Sequence, residues 1–173
     1  MYYVIQVAPG TEQKTETLIR ERVETGLYDR CFHPLRHVRK KFRGEWRDLH
    51  EKLMPGYVFI TSDAIAELYP ELRRVPALTK LLGRNDGEVF VPLAEEEADW
   101  LEKVTEGGME AGLSQVAVAE GDVVTILSGP LMDMEGRIRK INLHKRIAEV
   151  EVHFMNRETV IYLGIELVGK EEK

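Results

Sequence analysis

Four residues in the first third of the chain are of types that bind metals or act as nucleophiles: Cys31, His33, His37 and His50. Zinc sites use such side chains, but they need donors that converge tetrahedrally on one ion. Cys31, His33 and His37 are spaced so that they share one face of an extended strand, where they lie side by side and do not converge. We therefore predict no metal site.

Catalytic motifs are not evident either. The sequence has no glycine-rich phosphate loop and no nucleophile motif, and its three serines, Ser62, Ser114 and Ser128, stand in none. His144 and His153 have no carboxylate motif around them, so contact or surface roles fit them better than catalysis. The sequence predicts a binding protein that is not an enzyme and has no cofactor.

The residue types best suited to binding chemistry are basic and clustered. The net charge of −6 weighs against indiscriminate nucleic-acid binding, but 136–157 is rich in Arg and Lys with only Glu149 and Glu151 opposing. A second basic stretch, 30–52, has eight Lys or Arg against three acidic residues. From charge alone, a solvated face and a binding face are equally consistent. The candidate nucleic-acid-binding residues are Arg137, Arg139, Lys140, His144, Lys145, Arg146, His153, Asn156 and Arg157.

The bulk composition sets the class of protein. A chain of 173 residues, 43% hydrophobic and 31% charged, has room for one ordinary domain or two small ones. A single cysteine excludes an internal disulfide framework and fits a reducing compartment. Neither a signal peptide nor an apolar membrane span is evident. We expect a cytoplasmic monomer that does not enter membranes.

The first part of the chain alternates strands and helices. The strong strands are Tyr2–Val7 and 53–60, and a charged hairpin over 31–39 and 45–51 turns at Arg43-Gly44. Helices are predicted after the capping residue Thr11, after Ser62 and from Ala94 to Val104, with a short strand at Val89–Val91. This βαββαβα order predicts an α+β fold in which an antiparallel sheet is flanked by helices.

A second, all-β region follows a glycine-rich segment. Residues 105–116 have three glycines and no hydrophobic periodicity, which predicts a flexible linker. Short strands near 122–127, 136–142, 147–153, 158–163 and 165–168 then predict a small barrel, which leaves no open sheet edge. The predicted layout is an N-terminal domain over 1–105, a linker over 106–116 and a barrel domain over 117–169.

Turn residues in the barrel region have a specific arrangement. Gly121-Asp122 precedes a strand, Gly129-Pro130 ends it, and Gly136 begins the next one. This arrangement resembles the KOW motif of ribosomal proteins and NusG-type transcription factors. Residues 2–12, the run 55–58 (Pro-Gly-Tyr-Val) and Pro92-Leu93 look like the NusG N-terminal (NGN) domain. The resemblance covers nearly the whole chain and implies an NGN-like domain joined by the linker to an SH3-like KOW barrel.

The resemblance implies a transcription elongation factor. In the NusG family the N-terminal domain docks through an apolar concave surface onto the clamp helices of the largest subunit of RNA polymerase, and the barrel recruits other partners. By motif match, the docking residues are Tyr2, Tyr3, Leu53, Met54, Pro55 and Tyr57.

Three departures from the family pattern suggest a specialised member. Tyr2-Tyr3 replaces the usual Trp-Tyr, and Leu53-Met54 replaces Phe-Phe. The barrel loop 154–157 reads Phe-Met-Asn-Arg, whereas general members have Ile-Phe-Gly-Arg. In those members the loop contacts Rho or a small-subunit ribosomal protein. With the basic 137–146 segment, the chain is similar to LoaP antiterminators. This similarity implies a processive antiterminator that is recruited when its barrel binds an RNA hairpin in a leader transcript. Other elongation factors or a small-subunit ribosomal protein would be further partners.

Two other functions stay open at this point. One is a general NusG-type elongation or termination factor whose barrel binds protein partners only, and the other is a ribosome-associated KOW protein that binds RNA. Without the family resemblance, a simple core role is the favoured one for Leu53, Met54 and Tyr57, since apolar strand residues are mostly buried.

Overall fold

The elements come from a computed structural model that describes residues 1–75, 80–82, 92–155 and 157–168. The strands are β1 Tyr2–Gln6, β2 Arg30–Phe32, β3 Leu35–Phe42, β4 Glu45–Lys52, β5 Tyr57–Thr61, β6 Lys80–Leu82, β7 Glu110–Ala111, β8 Ser114–Ala119, β9 Val123–Ser128, β10 Ile138–Asn142, β11 Ile147–Phe154 and β12 Arg157–Leu167. The α-helices are α1 Glu12–Arg22, α2 Ile65–Leu72 and α3 Glu95–Thr105. Within these ranges, none of the helices has the length and apolar character that a bilayer crossing requires.

Contacts between residues divide the chain into two units. The first comprises residues 1–34 and 54–98, and the second comprises residues 35–53 together with the chain from 99 onward. The predicted fold class is confirmed: an antiparallel sheet with helices precedes an all-β barrel.

The first unit is built on an antiparallel sheet with strand order β2-β5-β1-β6. Alternate residues of β1 and β5 face the helices, and in register Tyr3 pairs with Ile60 and Ile5 with Val58. These side chains form one core with residues of α1 and α2. The buried members are Tyr3, Ile5, Val7, Ile19, Val23, Val58, Ile60, Leu68, Leu72 and Val75.

A buried carboxylate fixes the two turns at one end of this sheet. Glu12 is fully buried, and its two oxygens accept hydrogen bonds from the amides of Gly10 (2.9 Å) and Gly56 (2.7 Å). Gly56 has φ +89°, a conformation that favours glycine. Thr11 occupies the N-cap position of α1 but makes no capping bond with its side chain, because its hydroxyl donates to the carbonyl of Ala8. The helix cap predicted for the Thr11 side chain is therefore not formed, and the carboxylate of Glu12 binds the amides of the two turns instead.

The hairpin β3–β4 belongs to the second unit. Its strands pair without a break from Leu35–Lys52 to Phe42–Glu45. The turn lies at Arg43-Gly44, as predicted, with φ 51° and 82°, the two positive values that a tight two-residue hairpin turn requires. The short strand β7 adds to β3 in parallel.

Five strands of the second unit form the barrel, with strand order β10-β11-β12-β8-β9. Strand β11 alternates strictly: Ala148, Val150, Val152 and Phe154 are buried, and the residues between them are partly exposed. Pairs β10–β11, β11–β12 and β8–β9 are antiparallel, and β12–β8 is parallel. The outward residues of β10, β11 and β12 thus form a continuous outer face.

Several predicted elements differ in the structure. The single strand expected over 31–39 is broken at Pro34, which has no amide hydrogen for a ladder, so β2 and β3 join different sheets. The strand expected over 53–60 begins only at Tyr57, after the turn at Gly56. The two strands expected at 158–163 and 165–168 are one strand, β12.

The glycine-rich segment 106–116, predicted as a linker, includes residues that pair in two sheets. It contains β7, which pairs with β3, and the start of β8, which pairs with β9 and β12. Ser114 is fully buried, and its hydroxyl accepts the amide hydrogen of Leu131 at 2.9 Å. The contacts show which residues lie together, but they do not show which segments fold on their own. The predicted domain boundaries therefore stay a prediction. The strand expected at Val89–Val91 lies outside the described residues.

Candidate functional site

A β-bulge presents two consecutive cations on the outer face of the barrel. The register between β10 and β11 shifts between Ile138, paired with Val150, and Lys140, paired with Glu149, so that Arg139 is the extra residue. Its Nε lies 3.5 Å from Oε2 of Glu151, an outward residue of β11. A regular strand would send Arg139 and Lys140 to opposite faces. Because of the bulge, both are exposed.

The turn between β10 and β11 is held by its own side chains. Oδ1 of Asn142 accepts the amide hydrogen of Lys145 at 2.9 Å, and the guanidinium of Arg146 donates to the carbonyl of Leu143. Asparagine commonly closes turns in this way. The turn presents His144 and Lys145 to solvent.

The β3–β4 hairpin faces this turn across an open cleft of about 670 Å³. The Arg146 guanidinium lies 4.8 Å from the centre of the Trp46 ring, and Nζ of Lys41 lies 5.9 Å from it. On the barrel side, the Arg36 guanidinium lies 5.5 Å from the centre of the Tyr162 ring. The lining is Arg36, Lys40, Lys41, Trp46, Glu51, Lys140, Asn142, His144, Lys145, Ile147, Glu149 and Tyr162. Lys and Arg outnumber Glu there, so the cleft is electropositive.

One carboxylate organises two of the cations in this hairpin–barrel cleft. Glu51 Oε1 lies 3.0 Å from Nη2 of Arg36, and its Oε2 lies 2.7 Å from Nζ of Lys40. Burial opposes the charged form, but the hydrogen bonds from Lys40 and Arg36 outweigh it and lower the pKa of Glu51 below its ordinary value. Glu51 is therefore ionised at neutral pH and holds both cations in place.

The remaining candidate nucleic-acid residues lie elsewhere on the barrel. Arg137 and Arg139 line a separate depression of about 190 Å³ that also contains Glu151 and Glu158. Nδ1 of His153 lies 3.2 Å from Oε1 of Glu158. Arg157, at the start of β12, is exposed, and Asn156 lies outside the described residues. The structure thus brings Lys140, His144, Lys145 and Arg146 together beside the cleft, while Arg139, next to Lys140, lines the smaller depression with Arg137.

Sequence reasoning missed the hairpin's contribution to this cleft. The basic character of 30–52 was visible, but nothing in the sequence connected Lys41 or Trp46 with residues about a hundred positions later. Tyr162, on the barrel strand β12, is 41% exposed. The only signal for Tyr162 in the sequence was its position in a predicted strand, where alternate residues face outward.

Two of the candidate polymerase-docking residues, Tyr2 and Tyr57, share a sheet face with an aromatic cluster in the first unit. On the sheet face opposite the helices, the rings of Tyr2 and Phe32 meet edge to face at 6.4 Å, and those of Phe32 and Phe59 stack at 6.0 Å. The guanidinium of Arg30 lies 4.9 Å from the centre of the Phe32 ring. Tyr57 lies on this face as well, two residues before Phe59.

The six predicted docking residues differ in exposure. Pro55 is exposed, Tyr2 and Tyr57 are half-buried, and Leu53 and Met54 are buried. Tyr3 lies on the opposite face, in the core formed with the helices. Phe32 and Phe59 on the face of Tyr2 and Tyr57 are fully buried. The docking role of these residues stays a prediction.

The histidines considered as metal ligands are engaged with carboxylates. His33 pairs with Glu16, and His50 pairs with Glu110. Nε2 of His37 lies 2.9 Å from Oδ1 of Asp48, and the rings of His37 and His50 stack at 5.0 Å. Across the residues that the structure describes, no group of three or more His, Cys, Asp or Glu could hold a metal ion.

Two family models match this chain. Residues 1–102 match the family described as transcription termination factor NusG, and residues 120–153 match the KOW motif. The first match covers more than half of the chain, and the second coincides with β9, β10 and most of β11.

Curated relatives match over the full length. The NusG protein of Thermus thermophilus, named a transcription termination/antitermination protein, is 32% identical over 181 residues, covering 98% of this chain and 97% of the relative. The protein of the same name from Vibrio parahaemolyticus is 25% identical, covering 98% and 94%. The solved structure reported as "Domain interaction in Thermotoga maritima NusG" matches with a TM-score of 0.59 and 26% identity, covering 94% of this chain and 92% of that one.

Fold and comparisons together define a non-enzymatic transcription factor with a C-terminal KOW barrel. The chain belongs to the NusG family of transcription termination/antitermination factors. The ribosome-associated alternative does not account for the match over residues 1–102.

Proposed function

We propose that this protein is a processive antitermination factor that binds RNA polymerase through its N-terminal part and is recruited by an RNA hairpin bound to its barrel. The observation that carries the proposal is a basic cluster on a NusG-family barrel, made of the exposed Lys140, His144 and Lys145 and the partly buried Arg146. The similarity to LoaP-type antiterminators supports the specialised role over the general one.

The polymerase-binding half of the proposal assigns docking to the region of Tyr2, Tyr3, Leu53, Met54, Pro55 and Tyr57. Family membership supports the partner, the clamp helices of the largest subunit. Tyr2 and Tyr57 lie on a sheet face rich in aromatic side chains, and aromatic residues near the centre of an interface carry much of the binding energy.

The RNA-binding half rests on charge and geometry. Lysine and arginine contact phosphates, and arginine and histidine also pair with base edges. A regular A-form helix hides its base edges in a deep, narrow groove, so a specific complex requires a loop, a bulge or a widened groove in the hairpin. Affinity should fall steeply with salt, because each neutralised phosphate releases counterions.

Transcription with purified polymerase tests the proposal. On a template with a leader hairpin and a downstream terminator, the protein should raise read-through, and the Lys145→Ala/Arg146→Ala variant should lose that effect and its RNA affinity. The matched control is Lys14→Ala/Arg22→Ala, which removes two exposed cations of α1. If the barrel variant keeps both activities, the basic cluster is only a solvated face.

A general NusG-type factor with protein partners only is the second candidate. It is favoured by exposed apolar side chains on the barrel, Val123, Leu127 and Met132, which suit a protein contact. Glu151 and Glu158 also offset part of the positive charge around Arg137 and Arg139. Co-purification from cells with and without ribonuclease separates the two: recruitment that survives ribonuclease supports the protein-partner function.

A further inference from the structure

We propose that the hairpin–barrel cleft binds an unpaired nucleotide of the RNA, with the base stacked on Trp46 and Tyr162 and the phosphates held by Lys41, Lys140 and Lys145. This inference rests on the proposed RNA-binding function and refines it. It moves the recognition site from the barrel alone to a cleft that the β3–β4 hairpin completes, and it identifies the feature of the RNA that is bound.

The chemistry of the cleft is that of a single-strand site. Aromatic rings that are partly open to solvent give a base a face to stack on, and neighbouring cations track the phosphates. The cationic groups of Lys41 and Arg146 lie over the Trp46 ring, and that of Arg36 lies over the Tyr162 ring. The three lysines assigned to phosphate are all exposed.

The size and openness of the cleft favour an unpaired nucleotide over a duplex. A volume of about 670 Å³ lies within the range of roughly 300–1,000 Å³ that holds small ligands. In a duplex the bases stack on one another and offer no free ring face, so Trp46 and Tyr162 would add nothing to its binding. A loop or bulge nucleotide of a hairpin can leave the stack and enter the cleft.

Direct contacts hold the two walls of the cleft in position. A β-carbon on Gly164 of β12 would lie 2.9 Å from Cα of Val38 on β3, so the backbones approach more closely than side chains would allow. Arg36 Nη1 donates to the carbonyl of Tyr162 at 3.4 Å, and Arg39 Nη1 lies 3.4 Å from Oε1 of Glu166. The rings on the hairpin and on the barrel are therefore presented together.

The test uses the full chain and two fluorescein-labelled probes: a single-stranded oligouridine of about 12 nucleotides and a blunt RNA duplex of about 16 base pairs. Fluorescence anisotropy compares Trp46→Leu and Tyr162→Leu with Phe42→Leu, which alters an exposed aromatic on the same hairpin outside the cleft. Tyr162→Phe keeps the ring and controls for folding, as does the melting temperature of each variant.

We expect Trp46→Leu and Tyr162→Leu each to weaken oligouridine binding by roughly tenfold, the loss typical of one stacked base. Duplex binding should stay unchanged, and Phe42→Leu and Tyr162→Phe should bind as the wild type. Oligouridine containing 5-iodouridine should cross-link to peptides that contain Trp46 or Tyr162.

Three results overturn the inference in distinguishable ways. If Lys145→Ala/Arg146→Ala weakens binding but the two leucine variants do not, RNA binding by the barrel stands and the stacking site is wrong. If the leucine variants lose duplex and single strand equally, the rings support only the fold. If the wild type binds neither probe, the cleft does not hold an unpaired nucleotide, and the read-through assay with the leader hairpin decides separately whether the proposed RNA function stands.

Discussion

The backbone of Gly164 on β12 lies directly against the backbone of His37 on β3. A β-carbon at Gly164 would overlap the carbonyl oxygen of His37 and come within 2.9 Å of Cα of Val38. Cδ2 of Leu113 also lies 2.9 Å from that position and can move aside, but the atoms of His37 and Val38 belong to the backbone and cannot. Gly164 is therefore the residue that lets the β3–β4 hairpin lie on the barrel.

Gly164→Ala should loosen the hairpin from the barrel. Overpacking of this kind typically costs about 1–3 kcal/mol, so the free energy of unfolding in urea should fall by that amount. Amide hydrogen exchange over 35–52 should accelerate at the same time. Gly136→Ala is the control, because a β-carbon there meets nothing within 4 Å. Equal stability of the two variants would show that the hairpin is not held by this contact.

Glu51→Gln should reduce the loss of folding stability at acid pH. The pKa of Glu51 is lowered from 4.5 in the folded state, so its ion pairs stabilise the fold above that value and are lost as the pH falls through the folded pKa. The wild type should therefore lose about 1 kcal/mol more than the variant between neutral pH and about pH 3. Thermal melts across this range measure it. If the stability of the two proteins falls equally with pH, the ion pairs of Glu51 with Arg36 and Lys40 do not stabilise the fold.

Cys31 should react slowly with thiol reagents in the folded protein. Burial is the largest influence on this thiol and raises its pKa to about 12, although the nearby Arg20 opposes the shift. Only the thiolate is nucleophilic, so almost none is present at neutral pH. Alkylation by iodoacetamide, followed by mass spectrometry, should be far slower in buffer than in urea. A rate equal to that of free cysteine would contradict this environment.

Tyr57→Ala should weaken polymerase binding if the aromatic face of the first unit docks as proposed. Loss of a central aromatic contact costs about 2 kcal/mol or more, which is roughly thirtyfold in Kd. Biolayer interferometry with purified polymerase measures the effect, and Tyr69→Ala is the control, a half-buried tyrosine on α2. Unchanged binding together with a lower melting temperature would make Tyr57 a core residue.

The sequence by itself determined the elements that depend on neighbours along the chain. The alternation of Val123 to Ser128, the Arg43-Gly44 turn and the helical spacing from Glu95 to Thr105 each reflect interactions within a few residues, and the structure has these elements close to the predicted positions. The basic segment 137–146 was visible for the same reason, because charge is a property of composition.

Tertiary structure alone decided which of these parts meet. A two-residue period cannot show that a bulge puts Arg139 and Lys140 on one face, since that depends on the register with Val150 and Glu149. Nor can it show that Trp46 contacts Arg146, because this pairing depends on how the hairpin and the barrel approach each other. Tyr3 and Tyr2 are adjacent and alike, yet the sheet sends one into the helix-covered core and the other to the opposite face. Long-range packing selects these outcomes, because each is stabilised by residues far apart in the chain.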